Sequence, residues 1–339
     1  MRNTVLASIG LGAVLTLAWF VSAPISGQAP GGTTKGSAVE EAAAKYEAPR
    51  TSWGDPDLQG QWNSQTSTPL ERPRSGALAE KDSLSEEEAE SIESANLARA
   101  DGPPAPGDPG TYNSFWFDRG KGLSRTSLII DPPDGRVPAY TPAAEQRLAA
   151  ERAERAKRGP ADSYADLPIW PRCITRGWNG IGSNYSSNTQ IFQSPGYVVV
   201  LQELIHESRI IPLDGRDGPP AHVQQWLGVS RGKWDGDTLV VETRNFDPRS
   251  SYRGSSPQLL LIERYTRVSP DAIDYRFTMH DPATYVKDWT VGRPMRRETG
   301  NITIFEYACH EGNYAMEGIL AGARLQDKEA AAAGGDSSR

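Results

Sequence analysis

Residues 226–246 read WLGVSRGKWDGDTLVVETRNF. Two runs rich in Val, Thr and Trp flank Asp235-Gly236, a dipeptide suited to the positive-φ positions of a tight hairpin turn. The design repeats on both sides. Residues 189–204, TQIFQSPGYVVVLQEL, place Ser194-Pro195-Gly196 between two β-rich runs, and residues 206–218, HESRIIPLDGRDG, add a strand ending in a turn. Residues 258–281, QLLLIERYTRVSPDAIDYRFTMHD, turn at Ser269-Pro270-Asp271, and residues 296–309, RRETGNITIFEYAC, close the series. Short strands joined by tight turns, with no helical crossover between them, predict a mainly β fold. An antiparallel meander of this kind closes into a barrel or packs as a two-sheet sandwich. Earlier runs at RTSLIIDPP and LQGQW are expected to complete it.

Two or three peripheral helices are expected around the meander. DSLSEEEAESIESANLARADG predicts one near 83–100, with Ser85 and Glu88 as a capping box and an acidic first turn. TPAAEQRLAAERAERAKRGP predicts another near 142–158, with Thr141 as its cap and Pro142 at the first helical position. Residues 316–326 suit a short final helix, and 327–339 read as a loose tail. At the other end, Arg2, the apolar run Val5–Val21 and the small residues after it have the layout of a cleaved secretory signal peptide, 1–29. The alternative is a permanent N-terminal anchor, since a spanning helix needs roughly 17–25 residues. Residues 30–50 lack an apolar period and read as a disordered linker. A single β-rich domain, 51–326, follows. A periplasmic or secreted location is the expectation.

The chain carries a net charge of −7, which argues against nucleic acid as a partner. It has two cysteines, Cys173 and Cys309. In an exported chain an even count reads first as a disulfide, and no C-x-x-C spacing suggests zinc. A bridge would hold His310 beside Arg172 and the loop that follows it.

The strands place charges among apolar neighbours. Leu259, Leu261, Glu263, Tyr265 and Arg267 share one side of their strand, so one of Glu263 and Arg264 must point inward. Glu242 alternates with Val240, and Glu203 with Val199 and Leu201, while His206 joins Val200 and Gln202 on the opposite side. Burying such groups is costly unless they are paired. Either they form Glu–Arg bridges between strands, Arg209 included, or they line a polar cavity in the barrel. All three glutamates are expected to be buried with arginine or histidine partners. In AIDYRFTMHD, His280 belongs to the outward set.

No P-loop, dinucleotide fingerprint, nucleophile elbow or H-E-x-x-H is present. No cofactor and no metal are expected. The catalytic candidates are His310, His206, Glu203, Glu242 and Glu263. His310 is favoured over Glu311 because neighbours on a strand face opposite ways and imidazole titrates near neutrality. Loop-borne Trp116 and Trp178, with Arg172 and Arg209, are the ligand-binding candidates.

The strings RTSLIIDPPDGR, SPGYVVV, RIIPLDGR, SRGKWDGDTLVVETRNF, ERYTRVSPDAIDY and EYACHEGNY together resemble a large family of uncharacterised exported bacterial proteins, over residues 53–324. The resemblance implies an exported, single-domain, β-rich protein and carries no activity with it. The G-x-W-x-G-D-T-L hairpin is also similar to those of lipocalin-like barrels, a likeness of fold alone. The leading expectation is a barrel that binds a small amphipathic or sugar-like ligand. The alternatives are a cofactor-independent hydrolase, lyase or isomerase using cavity carboxylates and a histidine, and a structural envelope protein.

Overall fold

The computed structural model describes residues 46–103, 120–178, 187–298 and 304–335, all within one compact unit, Ala38–Arg339. The expected signal segment and most of the linker lie outside the described residues. The linker's last residues are placed: Arg50 bridges Pro56 and ion-pairs with Asp237. Among the described residues eleven strands form one sheet: β1 (Gly60–Asn63), β2 (Ile129–Asp131), β3 (Asn188–Ser194), β4 (Tyr197–Gln202), β5 (Glu207–Pro212), β6 (Val229–Asp235), β7 (Thr238–Arg244), β8 (Leu260–Ser269), β9 (Ala272–His280), β10 (Trp289–Gly292) and β11 (Met295–Arg297). The predicted turns at 194–196, 235–236 and 269–271 join β3 to β4, β6 to β7 and β8 to β9.

Hydrogen bonding runs β5-β4-β3-β1-β11-β9-β8-β7-β6. Pro294, which has no N–H to donate, interrupts the run beside β9, so β10 pairs with Arg276–Met279 and β11 with Ala272 and Ile273. Every step on the path is antiparallel, so β5 and β6, at its two ends, point the same way. Parallel neighbours cannot share a tight turn, and residues 213–228 make the return. β5 and β6 approach without pairing, leaving a nearly closed barrel with one unsealed seam. Gly232 permits that approach: a Cβ there would stand 2.8 Å from Ile211 and 2.6 Å from Leu213.

Alternation sorts the side chains as expected. Ile273, Tyr275, Phe277 and Met279 of β9 are buried, as are Leu261, Glu263 and Tyr265 of β8 and Leu239, Val241 and Thr243 of β7. With Trp62, Trp289 and Tyr285 these fill the barrel. Each large apolar side chain so buried is worth roughly 1.5–3 kcal/mol. The end bearing the hairpin turns is plugged: the guanidinium carbons of Arg297 and Arg267 lie 4.4 and 5.8 Å from the Trp62 ring centroid, and both side chains donate to the Pro270 carbonyl. Gly60, at φ +135°, makes room, since a Cβ would meet the Arg297 guanidinium at 2.5 Å.

Three helices lie among the described residues: α1 (Glu86–Ala100), α2 (Pro142–Ala156) and α3 (Tyr314–Gly335). The Ser85–Glu88 capping box is formed in both directions, and Thr141 accepts from the Ala144 N–H at 3.1 Å. α3 is longer than the expected 316–326 and takes in most of the predicted loose tail. The run KEAAAA at 328–333 consists of strong helix formers, and that propensity outweighs the lack of an apolar face. Among the described residues no helix is long and apolar enough to cross a membrane.

Candidate functional site

Glu263, not Arg264, points inward; Arg264 donates to Asp235 on the outside at 2.8 Å. Inside, Arg209 of β5 forks onto Glu263, Nη1 to Oε2 at 2.5 Å and Nη2 to Oε1 at 2.9 Å. The Tyr265 and Tyr275 hydroxyls each donate to Oε1 at 2.9 Å. Burial opposes the charge on Arg209, but the Glu263 carboxylate and the two tyrosines outweigh it, and its pKa is raised. Burial, then the Glu263 charge, pushes the Tyr275 hydroxyl well up. All four side chains are buried, and Arg209 also borders a cavity of about 980 Å³ along the seam, shared with Glu207, Trp226 and Ser230. Of the two alternatives, Glu263 and Arg209 form the Glu–Arg bridge across the barrel, with Tyr265, Tyr275 and Phe277 packed among the core side chains around it.

The other two glutamates do not join Glu263. Glu242 is on the outer face with its side chain 42% exposed and Lys233 Nζ 3.9 Å away. Glu203 accepts from Asn188 Nδ2 at 2.9 Å. The expected burial of all three with arginine or histidine partners holds for Glu263 alone. For Glu203 and His206 the reason is local: the strand stops at Gln202, and residues 203–206 are a turn in which Ile205 and His206 have φ of 63° and 54°. Period two does not extend across that turn. His280 faces outward as expected, its Nδ1 2.9 Å from Asp288.

Two cavities lie side by side at the end of the barrel opposite the hairpin turns. There Trp170, Trp178, Trp226 and Tyr252 converge with Arg176 on a cleft of about 220 Å³. Trp178 is fixed by edge contacts to Tyr252 at 5.3 Å and Phe277 at 6.1 Å, and its buried Nε1 has no partner among the described residues. An unmatched buried donor costs roughly 1–3 kcal/mol. The Arg176 and Arg249 guanidinium carbons lie 4.6 and 4.4 Å from the Trp170 and Trp226 ring centroids.

Beside the cleft is a cavity of about 490 Å³ lined by His206, Glu207, His310 and Glu311 and by the Cys173–Cys309 disulfide. The expected bridge is present, and it brings His310 to the same cavity as His206. Cys309 does not end a strand, however. It lies in a turn, so alternation does not apply and both His310 and Glu311 line the cavity. Of the five non-glycine residues with positive φ among those described, Cys173, Ile205 and His206 line this cavity, so backbone strain of ~1–3 kcal/mol per residue is concentrated there.

Glu207 joins the two spaces. Thr175, on the cleft wall, donates to its Oε2 at 2.6 Å. Burial pushes the Glu207 carboxyl up, against the lowering effects of Thr175 and Arg209. Alternation with inward Arg209 and Ile211 was a signal for Glu207; nothing local marked Arg176, Trp226 or Tyr252. Of the other candidates, Arg172 stacks over Tyr164 at 5.2 Å and is not on the cleft wall, and Trp116 lies outside the described residues. Among the described residues no three His, Cys, Asp or Glu side chains are placed to hold a metal ion. The site must be read from its own chemistry, because no family model, curated protein or solved structure matches the chain.

Proposed function

We propose that this is an exported protein that binds a small amphipathic ligand in the aromatic cleft at the open end of its barrel. The observation that carries the reading is the convergence of three indoles and a phenol, from three separate stretches of chain, around one cleft. Aromatic side chains that remain accessible after folding offer large apolar faces at low conformational cost. The disulfide supports export, since such bonds persist in oxidising compartments. Trp226→Ala is expected to weaken binding of a flat amphipathic probe about tenfold or more, the effect of losing ~1.4 kcal/mol or more at an aromatic anchor. Isothermal titration of 2-naphthoate checks this. Equal affinity in wild type and variant, at equal melting temperature, removes the cleft from consideration.

One observation favours a second reading, a cofactor-independent hydrolase, lyase or isomerase. Glu207 has a raised pKa and lines a cavity shared with His206 and His310, the pattern of an acid–base site. The raised pKa has a signed consequence. Well above the folded pKa the carboxyl is ionised in both states, and the fold carries the penalty of a buried charge. Below the ordinary carboxylate range it is protonated in both, and the penalty is gone. Stability from this group therefore rises as the pH falls through its raised pKa towards that range. Glu207→Gln should abolish that rise, and urea midpoints across pH for the two proteins check it. Superimposable pH profiles would mean that Glu207 titrates normally.

A further inference from the structure

We infer that the cleft's ligand is an anion, a small aromatic or branched-chain carboxylate whose charged group is read by Arg176. This rests on the cleft being the binding site.

The inference comes from accounting for the polar groups on the wall. Thr175 donates to Glu207 and accepts the Gly177 N–H at 2.9 Å. Ser250 donates to the Asp247 carbonyl at 2.7 Å, and Ser251 to that of Ser255 at 2.8 Å. Arg249, beside Trp226, is neutralised by Asp247 through Nε at 2.9 Å and Nη2 at 2.6 Å. Burial raises the pKa of the Tyr252 hydroxyl, with Arg253 opposing the rise. Among the described residues no carboxylate lines the cleft. Arg176 differs from all of these: it lines the cleft and has no hydrogen-bond or ion-pair partner among the described residues. A guanidinium has five N–H donors and no acceptor, so whatever completes it must accept.

The stacking geometry points the same way. Lying over Trp170 occupies a face of the guanidinium and holds it in place. Its N–H edges lie in the plane and have no partner among the described residues, in the fork that matches a carboxylate with two parallel hydrogen bonds. Trp178 Nε1, the buried polar atom of the wall with no partner among the described residues, is also a donor only. A cationic ligand would meet an unpaired guanidinium and no carboxylate. The chain's net charge of −7 disfavours an anion at long range, so recognition has to be made locally, at this arginine. Size limits the rest of the ligand. About 220 Å³ is below the ~300–1,000 Å³ of drug-sized sites, so one or two fused rings or a short branched chain fill it.

The test uses the full chain with its disulfide intact and three probes of one shape: 2-naphthoate, 2-naphthamide and 2-naphthylmethylammonium, titrated calorimetrically against wild type, R176Q and R176K. The expected result is 2-naphthoate bound at least tenfold more tightly than the amide, with the ammonium weakest. R176Q should lose that preference while its affinity for the amide and its melting temperature stay unchanged. R176K, a point charge without the fork, should retain part of it. Equal binding of naphthoate and naphthamide, or a naphthoate preference that survives R176Q, overturns the anion inference and leaves the cleft standing. Binding of none of the three by wild type overturns the cleft reading itself.

Discussion

Arg209→Met is expected to destabilise the protein by about 3–5 kcal/mol, the usual cost of removing one partner from a buried ion pair. Glu263 is fully buried, and Arg209 supplies two of its four hydrogen bonds. Without the guanidinium, the carboxylate keeps the two tyrosine hydroxyls and has no counter-charge. A carboxamide removes that problem: in R209M/E263Q the amide oxygen still accepts from Tyr265 and Tyr275, and no charge is buried. The double variant should therefore recover much of the loss, and the two changes should be strongly non-additive. Urea denaturation of the four proteins of this cycle measures it. A loss below about 1 kcal/mol for Arg209→Met alone would mean that water or a proton compensates Glu263 in the variant. The location adds a second readout. β5 borders the seam and has no hydrogen bonds to β6, so the Arg209–Glu263 fork ties the sheet's free end across the barrel to β8. Amide exchange should accelerate in β4 and β5 before it does in β8 and β9.

Much of this barrel was legible because its signals are local. Period two placed Glu263 with Leu259, Leu261 and Tyr265, and that face is the interior. Asp235-Gly236 and the two proline-bearing turns marked three hairpins, and Ser85, Thr141 and Pro142 marked two helix starts. The seam was not legible. Alternation gives the faces of a strand but not its neighbours, and only the complete pairing order shows that β5 and β6 run parallel. The turn at 203–206 was missed for a different reason. Its positive-φ positions carry Ile205 and His206, where glycine or asparagine would have announced them.

The site divides along the same line. The two cysteines alone draw His310 towards the 172–177 segment, and His206 and His310 do line one cavity. Arg176, Trp226 and Tyr252 meet because the connections before β6 and after β7 fold over the same end of the barrel as the stapled 173–178 segment. No single stretch of sequence encodes that meeting. The barrel interior, where alternation directed attention, holds the charges whose chemistry is used up in stabilising the fold.

Removing the disulfide, by Cys173→Ala with Cys309→Ala or by reduction, should cost about 2–4 kcal/mol. The bridge spans 136 residues, and chain entropy alone would give a loop of that size ~5 kcal/mol. The native state accounts for the difference. Phe305, Tyr314 and Leu325 are 71%, 77% and 57% exposed, so the C-terminal segment buries little apolar surface. Its other links include polar ones: Asn313 Nδ2 donates to the Pro171 carbonyl at 3.0 Å, and Arg324 donates to the Asp162 and Ala161 carbonyls at 3.0 and 3.3 Å. Once the bridge is cut, the segment regains freedom while the barrel stays folded, and that freedom offsets part of the loss. Reduction should then proceed in two stages. Amide exchange in α3 rises first, with His310 leaving the cavity it shares with His206, and β8 and β9 stay protected until global unfolding. Melting temperatures with and without reductant, together with exchange measured by mass spectrometry, separate the stages. If α3 stays protected in the reduced protein, docking of the C-terminal segment does not depend on the bridge. His310 would then be held by its own contacts, and the disulfide would act on the unfolded chain alone.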